Sequence, residues 1–180
     1  LAPKLVSSLD RALGYSQAVL SYGKAREAPP ARRLLLAHRL VEDVGEILGL
    51  RQGSVVDFDN RVPIDLEIDA DADQLFRVAL NLMRNAVQAL EATGDLSLVR
   101  RLTVTGERRG TVVTLSFADT GPGVPPRARE GLFKAFQGST RPGGTGLGLA
   151  IAAELVRAHG GEIELVEGVP GATFRVQIPD

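Results

Sequence analysis

The stretch NLMRNAVQA, residues 81–89, lies within the longest predicted helix of the chain, about residues 73–92. Its polar side chains Asn81, Asn85 and Gln88 recur at helical spacing and therefore share one face. The neighbouring face is apolar and consists of Leu75, Val78, Leu82 and Ala86. The polar face is either simply solvated or supplies an amide oxygen to Mg²⁺, a cation that prefers oxygen ligands.

A second polar motif, DTGPG at residues 119–123, follows directly after a predicted buried strand. A carboxylate at a strand end can accept a hydrogen bond from the exocyclic amine of adenine and would repel the carbonyl oxygen of guanine. Asp119 therefore favours adenine, and Gly121 and Gly123 would let the backbone approach the base closely. The same pattern is also common in ordinary turns, so the motif alone leaves both interpretations open.

A glycine-rich segment, GGTGLGL at residues 143–149, leads directly into a predicted helix over about residues 147–159 that Gly160 and Gly161 close. The free amides and the positive end of such a helix can bind a phosphate chain. The segment is not a Walker A loop, since no Gly-Lys-Ser/Thr follows, and no βαβ unit surrounds it. The alternative is a flexible linker, but a linker seldom continues into a helix with an apolar stripe, here Leu147, Ile151, Leu155 and Ala158.

Between these motifs, Leu132, Phe133 and Phe136 place apolar anchors just before the polar residues 137–142. This pattern fits a lid that closes over a ligand, or a helix end packed on the core.

The rest of the pattern predicts further strands around these segments. We expect a short extended piece at residues 34–36, a helix that closes near Gly49, and hairpins over residues 102–118 and 163–178. Strand-like material is predicted between residues 55 and 68, from Val55, Val56 and Phe58 and from the alternating Ile64, Leu66 and Ile68.

Composition narrows the class of protein. With 180 residues, 44% hydrophobic, the chain can form one principal core. Its net charge of -1 gives no broad basic field, so nucleic acid is not the expected partner. It has no cysteine, which excludes disulfides and cysteine-ligated metal and is compatible with the cytoplasm. The apolar stretches fall short of the ~20 residues that cross a bilayer, so no direct membrane contact is expected.

Residues 4–25 repeat apolar or small positions at alternating steps of three and four, which predicts a helix that packs on other helices or an ordinary amphipathic core helix. Pro29 and Pro30 end this helix and mark a boundary. We therefore predict two regions, residues 1–28 and residues 31–180. Because the chain begins at Leu1 and not at a methionine, we expect it to be part of a longer protein.

Taken in order, NLMRNAVQA, DTGPG, LFKAF at residues 132–136 and GGTGLGL resemble the N, G1, F and G2 boxes of sensor histidine kinases. The resemblance continues through LAIAAELVRAHGGEI and GATFRVQIP and covers about residues 31–180. The order and spacing of the four motifs make it specific. A short lid and the Gln-Ala ending of the first box look more like the nitrogen-sensor type of kinase than the type with a long lid.

The resemblance implies a two-layer α/β sandwich, the Bergerat ATP-binding fold, with a mixed sheet covered by helices on one face. ATP and Mg²⁺ would lie between the long helix and the lid that Phe133 and Phe136 anchor. Asn81 and Asn85 would be catalytic, with Asn85 a magnesium ligand and Asp119 the adenine-reading residue. The other nucleotide-binding residues implied are Gln88, Gly121, Gly123, Gly144, Thr145, Gly146, Leu147, Gly148 and Thr173. Arg84, Lys134 and Arg141 are only candidates for a cationic phosphate clamp.

The resemblance also implies an activity and partners. ATP would donate its γ-phosphoryl group to a histidine, for relay to the receiver domain of a response regulator, and residues 1–28 would be the second helix of a dimerisation hairpin that forms a homodimer. Asn81 stands where hydrolysing members of the superfamily have a glutamate general base, and an amide cannot take that proton. Neither His38 nor His159 has the context of the acceptor histidine, so both are predicted to be structural and the acceptor is expected upstream of Leu1.

Three alternatives remain at this stage. A true ATPase of the same superfamily is disfavoured by Asn81. A degenerate scaffold that no longer binds nucleotide is disfavoured by the intact glycines, Asp119 and Asn85. An anti-sigma-factor serine kinase would share these motifs but would not normally carry the leading helix.

Overall fold

The computed structural model describes Ser16, Val19, Leu20, Gly23, residues 29–92, Gly94, and residues 99–135, 146–167 and 170–180. The four described residues before position 29 are all helical, as the pattern of residues 4–25 predicts at those positions.

From residue 29 onward the described chain forms seven strands and four helices. The strands are β1 (Arg33–Leu36), β2 (Asp57–Arg61), β3 (Glu67–Ala70), β4 (Arg101–Arg109), β5 (Val112–Asp119), β6 (Glu162–Leu165) and β7 (Ala172–Pro179). The helices are α1 (Ala37–Ile47), α2 (Ala72–Glu91), α3 (Pro126–Arg129) and α4 (Gly148–Ala158). The predicted long helix and the helix after the glycine-rich segment are confirmed as α2 and α4.

Five strands form one mixed sheet in the order β2-β4-β5-β7-β6. Strand β2 pairs with β4 in parallel, and the other neighbours are antiparallel. The separate pair β1 and β3 is antiparallel, with Leu35 opposite Ile68. The two predicted hairpins are therefore confirmed, as β4–β5 and β6–β7.

The core lies between the sheet and the helices. Along β7 every second side chain is buried, and β5 follows the same alternation except that Thr114 is buried as well, as expected of a sheet covered mainly on one face. The covering helices are amphipathic, and their buried side chains include Leu75, Leu82, Ile151 and Leu155. This is the predicted two-layer α/β sandwich with a mixed sheet, and the prediction of fold class is confirmed.

One local prediction is wrong. Four of the residues predicted as strand lie outside the strands, since β2 begins only at Asp57 and β3 only at Glu67. They are Val55, Val56, Ile64 and Leu66. Val56 is buried although it is not in a strand, whereas Val55 and Ile64 are exposed. Apolar content alone therefore overestimated strand in this region, where loops contribute buried side chains to the core. The short helix α3 was not predicted.

Among the residues that the structure describes, no helix combines the length and the apolar character needed to cross a membrane.

Candidate functional site

The polar face of α2 presents Asn81 in a fixed orientation. Its side-chain nitrogen donates a hydrogen bond to the carbonyl oxygen of Arg77, one turn earlier, at 2.9 Å. This bond turns the amide oxygen Oδ1 away from its own helix. That oxygen lies against Gly148, the first residue of α4.

A larger side chain at Gly148 would crowd Asn81. A methyl group at its Cα would lie 3.2 Å from Asn81 Oδ1 and 4.0 Å from Asn85 Oδ1. The two predicted catalytic amides and the start of α4 are thus brought together, and we call Asn81, Asn85 and Gly148 the Gly148 end of the site. Amide oxygens are hard ligands that suit Mg²⁺, and this ion usually completes its coordination with substrate phosphates and water.

The chain enters α4 through a left-handed turn. Gly146 has φ 67°, a conformation that side chains disfavour, and Leu147, which precedes the helix, is buried. The N-cap residue, Leu147, has an apolar side chain that makes no capping hydrogen bond. The first amides of a helix have no partner within it, so this terminus can donate hydrogen bonds to an anion.

The predicted adenine-reading residue, Asp119, is the last residue of β5 and is buried. Its Oδ1 accepts a hydrogen bond from the backbone N–H of Gly121 at 2.8 Å and a longer one, 3.4 Å, from that of Ala172. These two amides fix the plane of the carboxylate from one side.

Around this carboxylate, backbone packs directly on backbone. A Cβ on Gly171, which has φ 71°, would lie 1.8 Å from the carbonyl oxygen of Asp119. A Cβ on Gly123 would lie 2.8 Å from the carbonyl oxygen of Gly171. We call Asp119, Gly121, Gly123, Gly171 and Ala172 the Asp119 end of the site. Gly123 packs against the backbone of Gly171, whereas Gly121 lies near the side chains of Asp119, Ala89 and Leu90. The close approach of both glycines to a base stays a prediction.

Helix α2 connects the two ends. A Cβ on Gly121 would lie 3.5 Å from Ala89 Cβ and 3.7 Å from Leu90 Cδ2, which places the Asp119 end at the C-terminal part of this helix. Asn81 lies eight residues earlier, roughly 12 Å along the axis. That separation suits an extended nucleotide with its base at one end and its phosphates at the other.

Other predicted residues lie around this axis. Gln88 is exposed on α2 between the two ends. Thr173 pairs with Ala118, next to the Ala172–Asp119 pair, so strand alternation places its side chain on the face of the sheet opposite that of Asp119. The backbone of Ala172 and Gly171 reaches Asp119 instead. Sequence reasoning missed these two residues, although they belong to the quoted GATF motif.

The predicted lid anchor Phe133 packs edge-on against Phe174 of β7, with ring centroids 6.2 Å apart. This contact joins the segment before the predicted lid to the core of the sheet. Phe136, Arg141, Gly144 and Thr145 lie outside the described residues. Of the other candidate cations, Arg84 and Lys134 are both exposed.

Neither histidine lies at the Gly148 end. His38 Nδ1 donates to the carbonyl oxygen of Val62 at 2.7 Å. His159 is buried beside Asp71, at the start of α2, roughly 15 Å along the helix from Asn81. These positions agree with structural roles for both.

An open groove of about 750 Å³ lies elsewhere and shares no residue with either end of the site. It is lined by Leu34, Pro63, Asp65, Leu66, Glu67, Asp69, Arg108 and Asp180.

Comparison with known proteins identifies the family to which this fold and site belong. Residues 70–180 match the family model described as histidine kinase-, DNA gyrase B- and HSP90-like ATPase. The sensory histidine kinase/phosphatase NtrB of Escherichia coli O157:H7 is 33% identical over 187 residues, covering 99% of this chain and 49% of that protein. The chain spans 42% to 52% of the length of the curated relatives it matches.

Solved structures agree with the sequence relatives. Full-length ShkA in complex with AMPPNP has a TM-score of 0.77 and 28% identity, covering 98% of this chain and 37% of that one. The histidine kinase ThkA in complex with the response regulator protein TrrA has a TM-score of 0.75 and 26% identity, covering 97% of this chain and 48% of that one.

The chain therefore belongs to the family of histidine kinase-, DNA gyrase B- and HSP90-like ATPases. Within that family it is an ATP-binding catalytic domain of the sensor histidine kinase type, similar to NtrB.

Proposed function

We propose that this domain binds Mg-ATP along α2, with adenine at the Asp119 end and the phosphates at the Gly148 end, and passes the γ-phosphoryl group to a histidine. Asn81 supports transfer rather than hydrolysis. Its amide nitrogen is committed to Arg77 and its oxygen faces Gly148, so it cannot act as a general base for water. In the transfer, a neutral ring nitrogen attacks the γ-phosphorus, the bond to the β–γ bridging oxygen breaks and ADP leaves.

Magnesium fits this arrangement through the Asn85 amide oxygen and the ATP phosphates. Among the described residues no cluster of three or more acidic, histidine or cysteine side chains could hold a metal ion alone. An ion that shares its ligands with the substrate needs no such cluster. When bound, Mg²⁺ would neutralise charge that develops on the phosphates.

The acceptor histidine is proposed to lie outside this chain, since His38 and His159 both make structural contacts away from the Gly148 end. Residues 1–28 would belong to the dimerisation hairpin of the kinase, and the described residues there are helical. The receiver domain of a response regulator is the proposed final acceptor, as the complex of ThkA with TrrA suggests for a similar protein. The proposed location is the cytoplasm, where ATP is present.

The test uses γ-labelled ATP. We expect the chain to bind it in the presence of Mg²⁺, to acquire no label itself and to release little free phosphate. A longer form of the protein that includes the segment upstream of Leu1 should acquire an acid-labile label. Rapid release of phosphate by the chain would indicate an ATPase instead, and failure to bind at millimolar ATP would indicate a scaffold.

A further inference from the structure

The two helices that form the Gly148 end, α2 and α4, pack against each other in opposite directions. The start of α4 meets the middle of α2, where Gly148 lies against Asn81. The residue after α4, His159, meets the start of α2 at Asp71. From Asp71 to Asn81 on one helix, and from Gly148 to His159 on the other, the distance is ten or eleven residues, roughly 15 Å. The two helices are therefore in contact at both ends of this stretch.

At the far end, a hydrogen bond joins His159 to Asp71. The backbone N–H of Asp71 donates to Nε2 of His159 at 3.0 Å, and the ring is 2% exposed. Because Nε2 accepts, the ring proton lies on Nδ1, which donates to the carbonyl oxygen of Leu155 at 2.7 Å. The imidazole is thus held in one tautomer between the last turn of α4 and Asp71, the N-cap residue of α2.

The backbone around His159 is fixed as well. Its carbonyl oxygen accepts a hydrogen bond from the Arg32 guanidinium at 3.2 Å. Two residues later, a Cβ on Gly161 would lie 2.2 Å from the carbonyl oxygen of Gln177, so the chain there packs directly on β7. The ring therefore projects from a rigid point, and its position sets where α2 begins relative to α4.

We infer that His159 is a positioning residue for phosphoryl transfer, because its bond to Asp71 sets the register of α4 against α2 and so holds the phosphate-binding start of α4 at Asn81 and Asn85. The inference rests on the proposed function of the Gly148 end. His159 touches no nucleotide in this scheme and acts only through the two helices.

The composition of α4 explains why an end contact matters. Three of its six buried side chains, Ala150, Ala152 and Ala153, interlock less deeply with a neighbouring helix than the other three, Ile151, Leu155 and Val156. A slip of one residue moves a helix by about 1.5 Å. Misplacement by about 1 Å can reduce a reaction rate by as much as about 100-fold.

The test compares two ligands on the intact chain. Adenosine probes the Asp119 end alone, and Mg-ATP probes both ends. For His159→Leu we expect Mg-ATP affinity to fall about tenfold, which is the equivalent of one lost hydrogen bond between the start of α4 and a charged phosphate. Adenosine affinity should change less than about twofold. His159→Gln should restore most of the difference, since its side-chain oxygen can accept from Asp71.

A purely structural role gives a different pattern. Loss of folded protein lowers the apparent affinity for both ligands by the same factor, because only the folded state binds. An unchanged ratio of the two affinities in His159→Leu, whether both fall equally or neither falls, would therefore overturn the inference.

A second pair of variants tests the same bond from its donor side. Asp71→Ala and Asp71→Pro both remove the carboxylate, but only proline also removes the N–H, and φ of -74° at this position is compatible with proline. We expect Asp71→Pro to weaken Mg-ATP binding relative to adenosine more than Asp71→Ala does. In a His159→Leu background the two should behave alike, and a persistent difference would contradict the inference.

The parent chain separates this inference from the proposed function. If the unsubstituted chain binds Mg-ATP no more tightly than adenosine, both the proposed function of the Gly148 end and the role of His159 are wrong. If it does gain affinity, and the gain survives in His159→Leu, only the role of His159 fails.

Discussion

The Asp119 end and the Gly148 end of the site are built in different ways. At the Asp119 end, turns that belong to one sheet pack backbone against backbone, with Gly171 closed onto Asp119 and Gly123 closed onto Gly171. At the Gly148 end, two separate helices meet through a glycine and two amide side chains. The first end is fixed by the pairing of β5 with β7, whereas the second depends on how two helices pack.

The difference indicates where each kind of change should act. Substitutions in the backbone of the Asp119 end should affect folding and base recognition together. Substitutions at the Gly148 end should affect binding of the phosphates and Mg²⁺ with little effect on folding.

The largest effect is expected for Gly171→Ala. The new Cβ would overlap the Asp119 carbonyl oxygen in a backbone conformation that L-residues disfavour, so we expect a loss of about 3–5 kcal/mol in unfolding free energy. Urea denaturation measures this loss. Gly49→Ala is the matched control, since Gly49 has the same φ of 71° and nothing within 4 Å of its Cβ position. It should lose only about 1 kcal/mol, and equal losses would show that the packing at Asp119 does not matter.

Asp119→Asn tests base recognition at the Asp119 end without a change to the backbone. The amide oxygen can still accept from Gly121 and Ala172, but the outer atom becomes a donor that repels the adenine amine. We expect ATP and adenosine affinity to fall together, about 10- to 100-fold, with little change in melting temperature. Calorimetric titration of both ligands measures this. Binding like that of the parent would show that Asp119 does not read adenine.

Asn85→Ala addresses the Gly148 end. Removal of the amide oxygen should weaken Mg-ATP binding about tenfold and leave ATP binding in excess EDTA unchanged, because the lost ligand acts only through the metal. Titrations of one variant with and without Mg²⁺ form an internal control. An equal loss in both conditions would assign Asn85 to direct ATP contact and not to the metal.

The smallest effect is expected for Asp71→Ala, at the start of α2. Burial alone would raise the pKa of Asp71, but the backbone N–H groups of Gln74, Ala31 and Asp73 hold this pKa below its ordinary value. The charged carboxylate therefore stabilises the fold above the unfolded pKa, and this contribution disappears as pH falls through the lowered folded pKa. Loss of the helix cap should cost about 1 kcal/mol at pH 7.

Urea denaturation of parent and Asp71→Ala across pH 2 to 7 checks the sign. The difference between them should shrink toward acid pH. A difference that grew on acidification would mean that the carboxylate destabilises the folded state.

Periodic features of this fold could be read from the sequence, and contacts between distant segments could not. The long helix was predicted at residues 73–92 and is observed at Ala72–Glu91, because its apolar spacing and its Asp71 cap are local signals. The parallel pairing of β2 with β4 joins segments about 44 residues apart and cannot be inferred from the sequence of either strand alone. In the same way, Val56 is buried by tertiary contacts although it forms no strand.

The candidate site shows the same division. Asn81, Asn85, Asp119 and Gly148 were predicted because each lies in a motif with its own chemistry, and the structure brings Gly148 to both asparagines. The contacts of Gly171 with Asp119 and of His159 with Asp71 were missed, since they join residues 52 and 88 positions apart. For Thr173, the motif suggested a residue near adenine, but only the strand register shows which side of the sheet it faces.

The side chain of Arg32 shows where the chain joins the sheet. Its guanidinium donates to the carbonyl oxygens of Asp69, His159 and Pro179, at the end of β7 remote from Asp119. Strand β7 is roughly 23 Å long from Ala172 to Pro179, given the rise of extended chain. The chain therefore enters the sheet at the end of β7 opposite to the Asp119 end, and Arg32 joins three segments of the domain, at Asp69, His159 and Pro179, at that entry point.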